Sequence, residues 1–377
     1  MRILLAMGTR PEIIKLGSVY AALQATRAET EVFWSGQHVE LAEGLMELFD
    51  ISVAHQAVGV AQEPGLAGKF ALISRQIEDL LRRKTYDWVV VQGDTTTAAA
   101  AATAAFMNRV PVAHVEAGLR TGSIDSPWPE EFNRRVIALA ASLHFPPTER
   151  ARQNLLREGI SDDRIAMVGN TVVDALLHVR DRNIEGYVPR NPEIAGLPSD
   201  KKLVLATLHR RENVGDPLRN IVSALRELGR DGDKLIVLPV HFNPAVRTQV
   251  MSMLGGEPNL RLLGPLQYAD FVHLLSRAWT VVTDSGGVQE EAPTFGLPIL
   301  IARESTERPE VVEAGFGSLV GSDERAIIEG VRRLTDGENP RRVPGVNPFG
   351  DGQASRRIAE SLADETTRRS ETPSAAA

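Results

Sequence analysis

Trp88-Val89-Val90-Val91-Gln92-Gly93-Asp94-Thr95-Thr96-Thr97-Ala98 decides how this chain folds. A tryptophan and three valines in a row read as a buried strand. Gly93-Asp94-Thr95 then turns the chain into an alanine-rich helix over 98–107. Upstream, Arg2 to Met7 reads as a strand that leads into another helix. Pro11 suits the first turn of that helix, and Ile13, Leu16, Tyr20 and Leu23 share one of its faces. A further strand is expected over 110–115. The same grammar restarts later, with strands over 203–208, 234–239, 280–283 and 298–302 and helices over 217–228 and 271–277. Strands alternating with helices predict parallel sheets, so the fold class is α/β with two Rossmann-like, doubly wound domains in series.

The length of 377 residues agrees, because domains average about 150 residues. Residues 181–202, rich in Pro, Gly and charge, read as a connector near the domain boundary. A polar tail over 365–377 is expected to be disordered. With no cysteine, disulfides, a thiolate nucleophile and Cys-ligated metals are excluded. The formal net charge of −7 argues against a nucleic-acid partner. The apolar start is too brief for a signal peptide, and no stretch approaches the roughly 20 apolar residues of a membrane span. A cytoplasmic protein without membrane contact is the expectation. The eight histidines show no metal-ligand spacing, so no metal is expected.

In doubly wound sheets, ligands collect beyond the carboxyl ends of the strands, and two such domains imply a cleft between them. Asp284-Ser285-Gly286-Gly287 lies at such an end and opens a helix. Its glycines allow close approach of a phosphate to unpaired N–H groups; a plain turn capped by Asp284 or Ser285 is the other reading. Arg10 and Lys15, near the first strand, and Arg308 are cations able to reach a polyphosphate or simply to face solvent. Asp94 and Glu116 end strands, and Glu130 and Glu131 follow a Pro-bracketed loop. They suit general acid–base work on a sugar; alternatively Asp94 caps a helix and Glu130 sits in the first turn of another. His209, directly after a strand, is a candidate acid, base or phosphate donor.

These motifs, with Pro127-Trp128-Pro129-Glu130-Glu131, His209-Arg210-Arg211-Glu212-Asn213 and Thr306-Glu307-Arg308-Pro309-Glu310, closely resemble the non-hydrolysing UDP-N-acetylglucosamine 2-epimerases of bacteria. The likeness runs from residue 2 to about residue 352 and beyond. It implies a GT-B type fold with the active site in the interdomain cleft. Domain one would cover 1–168 and domain two, the UDP-binding one, 169–352, while a helix over about 353–364 packs back on the first. The resemblance further implies reversible interconversion of UDP-GlcNAc and UDP-ManNAc by a homodimer, with no cofactor and no metal. Asp94, Glu116, Glu130 and His209 match catalytic positions. Arg10, Lys15, Asp94, Glu116 and His209 match substrate contacts, Leu266 and Phe271 the uracil site, and Ser285, Gly286 and Gly287 the diphosphate site. Glu291 matches the ribose contact and Arg308 another nucleotide contact.

The chemistry explains such a parts list. A sugar C2 hydrogen becomes acidic when the C1–O bond to UDP is breaking, and inverting C2 requires acid–base groups on both faces. Three rivals stand beside it: a hydrolysing 2-epimerase that releases UDP and ManNAc, a GT-B glycosyltransferase, and a catalytically silent nucleotide-sugar-binding regulator. Many bacterial members also take a second UDP-GlcNAc as activator, through a Gln-His-Arg segment and an Arg-Gln pair. Here the corresponding stretches read Gln37-His38-Val39-Glu40 and Gln62-Glu63-Pro64. The missing cations predict hyperbolic kinetics with UDP-ManNAc as sole substrate.

Overall fold

A computed structural model describes every residue except 38–41, 43, 183–186, 209, 211–212, 214, 240–249, 252, 255–256, 339, 341 and 372–377. The chain forms two compact units, Met1–His178 with Phe349–Ala377, and Val179–Pro348.

The first unit holds β1 (Arg2–Met7), β2 (Glu29–Trp34), β3 (His55–Gln56), β4 (Trp88–Gln92), β5 (Val112–Val115) and β6 (Leu143–Phe145). They form one parallel sheet in the order β3-β2-β1-β4-β5-β6. In the second unit lie β7 (Lys202–Thr207), β8 (Lys234–Pro239), β9 (Leu260–Leu263), β10 (Thr280–Thr283), β11 (Ile299–Ile301) and β12 (Gly317–Leu319). Their order, β12-β11-β10-β7-β8-β9, is the same winding. Each unit is thus doubly wound, and the α/β, GT-B type fold read from the sequence is the one found. In each, the strand order reverses between the first and fourth strands, which is where such sheets bind ligands.

Strands β4 and β1 are apolar on both faces because helices cover both; every residue from Trp88 to Val91 is fully buried. The helix Thr96–Met107 carries seven alanines, which let it lie close to its neighbours in the core. Five strands, β2, β3, β6, β9 and β12, lay beyond the sequence reading. Glu29–Trp34 is polar in its first half, Glu29-Thr30-Glu31, and apolar only over Val32-Phe33-Trp34, and the other four are two to four residues long, so their pattern is weak.

The helix Thr171–Arg182 begins within the first unit, beyond the boundary expected at 168/169. Its Asp174 accepts hydrogen bonds from the backbone N–H groups of Ala354 and Ser355, at 3.3 and 2.7 Å, and so ties the chain's return to that unit. The last helix, Ala354–Glu371, packs in the first unit, where Ser355 meets Ser18 and the Trp88 indole donates to Thr366. It continues past the expected end at 364, so residues 365–371 are helical rather than disordered. Arg369 lies over the Trp88 ring at 4.5 Å, a contact that extends this helix despite its polar sequence.

Candidate active site

At the end of β5, Glu116 adopts φ +62°, a backbone conformation that non-glycine residues rarely hold. It is 8% exposed, and three side chains donate to its carboxylate. Lys15 and Asn170 approach Oε1, the latter at 3.4 Å, and Gln92 approaches Oε2. Strain at a strand end, offset by surrounding contacts, is a feature of functional sites.

One strand over, Gly93 (φ +68°) swings Asp94 out from the end of β4. Asp94 does not cap the following helix; Thr95 does, accepting from the Ala98 N–H at 3.0 Å. The Asp94 carboxylate instead accepts from Arg134, by Nε at 2.8 Å and Nη2 at 2.7 Å. The acidic residues gathered here are therefore neutralised by the protein's own cations, Lys15 and Arg134. Glu130 opens the helix Glu130–Ala140, and its Oε2 is buried with no hydrogen bond among the described residues. Glu131 is the structural member of the pair: fully buried, it accepts from the Thr121 N–H and pairs with Arg134 and Arg135.

The turn after β1 is tied to the turn after β4 by Glu12. Fully buried, its carboxylate accepts from the Gly8 N–H (3.0 Å), the Thr9 hydroxyl (2.8 Å) and the Thr95 hydroxyl (2.6 Å). Burial is the largest influence on this group and pushes its pKa up to about 7. Gly8 leaves no room for a side chain, since a Cβ there would lie 1.9 Å from Ser35 Oγ. Arg10 begins the helix Arg10–Gln24, half-buried, and Lys15 follows on the same helix. Gln37 accepts from the Thr97 hydroxyl at 3.0 Å, whereas His38, Val39 and Glu40 lie outside the described residues.

In the second unit, Asp284 is fully buried at the end of β10. It is not the N-cap of the helix that follows; it accepts from the Arg210 N–H at 3.0 Å and the Asn213 amide at 2.9 Å, and so holds the loop after β7. Ser285 makes no side-chain cap either, and its N–H donates to the Thr283 hydroxyl. Gly286 and Gly287 begin the helix Gly286–Glu291, with Gly287 exposed. A Cβ on Gly286 would sit 3.8 Å from both the Arg210 and the Arg308 guanidinium groups. Two cations thus flank a side-chain-free helix start, an arrangement suited to a phosphate. Arg308 is oriented by Glu290, at 2.5 Å from Nε. Glu291 accepts from the Tyr268 hydroxyl at 2.9 Å. Leu266 is buried, and Phe271 is half-buried on the helix Tyr268–Arg277. His209 lies outside the described residues.

Glu12, Gln92, Arg134, Asn170, Arg210 and Tyr268 went unassigned in the sequence. Only Glu12 had a local signal, because Thr9-Arg10-Pro11-Glu12 has capping-box spacing. Among the described residues, no cluster of three His, Asp or Glu side chains is arranged to hold a metal ion. None of their helices is long and apolar enough to cross a membrane.

Two doubly wound sheets with polar groups gathered at their reversal points define an α/β protein of the ligand-binding class. A family model described as UDP-N-acetylglucosamine 2-epimerase matches residues 21–363. The UDP-N-acetylglucosamine 2-epimerase of Escherichia coli (strain K12) is 44% identical over 369 residues, 96% of this chain and 98% of that protein. Among solved structures, UDP-GlcNAc 2-epimerase from Neisseria meningitidis bound to UDP-GlcNAc is 37% identical with TM-score 0.86, over 97% of this chain and 100% of that one. A co-structure of S. aureus MnaA with UDP matches at 36% identity and TM-score 0.86, over 100% of both chains. This chain belongs to the UDP-N-acetylglucosamine 2-epimerase family.

Proposed function

We propose that this protein interconverts UDP-N-acetylglucosamine and UDP-N-acetylmannosamine by inverting C2 of the sugar. The observation that carries the reading is its likeness to UDP-N-acetylglucosamine 2-epimerases along nearly the full length of both chains. The geometry supports it, because Asp94 and Glu116 end adjacent strands, β4 and β5.

In this reaction a carboxylate takes the C2 proton while the C1–O bond breaks. The C–H electron pair becomes the C1=C2 double bond of a 2-acetamidoglucal, and UDP departs with the C1–O pair. A proton delivered to C2 from the opposite face and re-addition of the UDP oxygen at C1 complete the inversion. Asp94, Glu116, Glu130 and His209 are assigned the proton transfers. Ser285, Gly286 and Gly287, with Arg10 and Arg308, stabilise the diphosphate as it takes on charge. Glu291 holds the ribose, and Leu266 and Phe271 border the uracil. Lys15 contacts substrate and balances the charge of Glu116. The protein works as a cytoplasmic homodimer without cofactor and without hydrolysing the intermediate, and a second UDP-GlcNAc is not required.

Incubation with UDP-GlcNAc in D2O, followed by NMR, tests this. Deuterium at C2 together with UDP-ManNAc and little free UDP is expected. Stoichiometric UDP with ManNAc would instead mark a hydrolysing enzyme, and absence of exchange would mark a transferase or a nucleotide-sugar binder.

A further inference from the structure

We propose that Arg134 is the positioning residue that aims Asp94 for proton transfer, an assignment that rests on the epimerase reading above. Asp94 is gripped from three sides. The His114 ring meets the carbonyl of the preceding Gly93 at 2.8 Å through Nε2, and since a carbonyl only accepts, that nitrogen carries the proton. The Asn133 amide donates to the Asp94 carbonyl at 2.8 Å. Arg134, the next residue on the same helix, donates to the carboxylate itself through both Nε and Nη2.

Both donors of Arg134 go to the same oxygen, Oδ2. Among the described residues, Oδ1 has no hydrogen bond, so one oxygen is anchored and the other is left to meet substrate. Arg134 is itself fixed. Its Nη1 lies 3.3 Å from Glu131, which is fully buried and tied to the Thr121 N–H. Only 12% of the Arg134 side chain is exposed, against 25% for Asp94. The planar guanidinium therefore transmits the rigidity of a buried carboxylate to a more open one, which a single ammonium cannot do as well.

Such a role separates from simple stabilisation. Removing one partner of this largely buried pair also lowers stability, which melting curves read separately from the rate. Misplacing a reacting group by about an ångström costs about 100-fold in rate.

The test compares Arg134→Met and Arg134→Lys with wild type for kcat, KM and C2 deuterium exchange, alongside melting curves. Arg134→Met is expected to lower kcat and exchange about 100-fold, with KM changed less than about threefold and the fold retained. Arg134→Lys, which restores charge without the fork, is expected to recover roughly tenfold of that loss. A kcat within about threefold of wild type in Arg134→Met would overturn the assignment, as would a loss confined to KM. So would activity falling only in step with thermal stability. Wild type without C2 exchange would overturn the epimerase reading itself, a result distinct from any obtained with the variants.

Discussion

The Lys15 ammonium donates to Oε1 of Glu116, joining the helix after β1 to the end of β5 across 101 residues of sequence. Only 13% and 6% of the two side chains are exposed. Removing one partner strands the other charge away from water. Lys15→Met is therefore expected to cost about 3 kcal/mol in urea titration and to abolish turnover. Glu116→Gln keeps the shape and should retain the fold while losing C2 deuterium exchange. Normal exchange in that variant would remove Glu116 from the chemistry.

Glu12 makes stability depend on pH. Its carboxyl is raised from 4.5 to about 7, chiefly by burial. Across that window the folded protein holds a proton that the unfolded chain has released, so the Glu12 contribution falls as pH rises. Glu12→Gln does not titrate. Relative to wild type, its melting temperature should improve between about pH 5 and about pH 8. A difference constant over that range would show that Glu12 does not titrate there.

The buried imidazoles of His114 and His144, on the paired strands β5 and β6, act in the opposite sense. Burial is the main cause that lowers them from 6.5, to about 3 and about 4. As pH falls below 6.5 the unfolded chain takes up protons that the folded one refuses, so stability is lost toward acid. His144→Gln should flatten the decline in urea midpoint between about pH 6.5 and about pH 4. An unchanged decline would place the acid sensitivity elsewhere.

Gly118 and Gly122 have nearly equal positive φ, +84° and +85°, in different surroundings. A Cβ on Gly118 would lie 2.2 Å from the Ala151 carbonyl oxygen, whereas one on Gly122 would meet nothing within 4 Å. Gly122→Ala should cost about 1 kcal/mol, from the backbone conformation alone. Gly118→Ala should cost more than about 3 kcal/mol, because a backbone atom has to move as well. Equal losses in chemical denaturation would contradict the packing described around Gly118.

What could be read from sequence is whatever is local. A run such as Trp88–Val91 followed by Gly93-Asp94-Thr95 specifies strand, turn and helix through nearest-neighbour sterics and burial. The polar residues at the strand ends, from Asp94 and Glu116 to the glycine pair after Asp284, were legible for the same reason. Partnership was not. Arg134 meets Asp94 across 40 residues, and Arg210 meets Asp284 across 74. These pairings depend on strand order, which is set by how whole helices and sheets bury their apolar faces. Tertiary structure alone therefore decided that Glu131 anchors rather than reacts, that Asp284 holds the loop after β7 rather than capping the helix that follows it, and that Tyr268 orients Glu291.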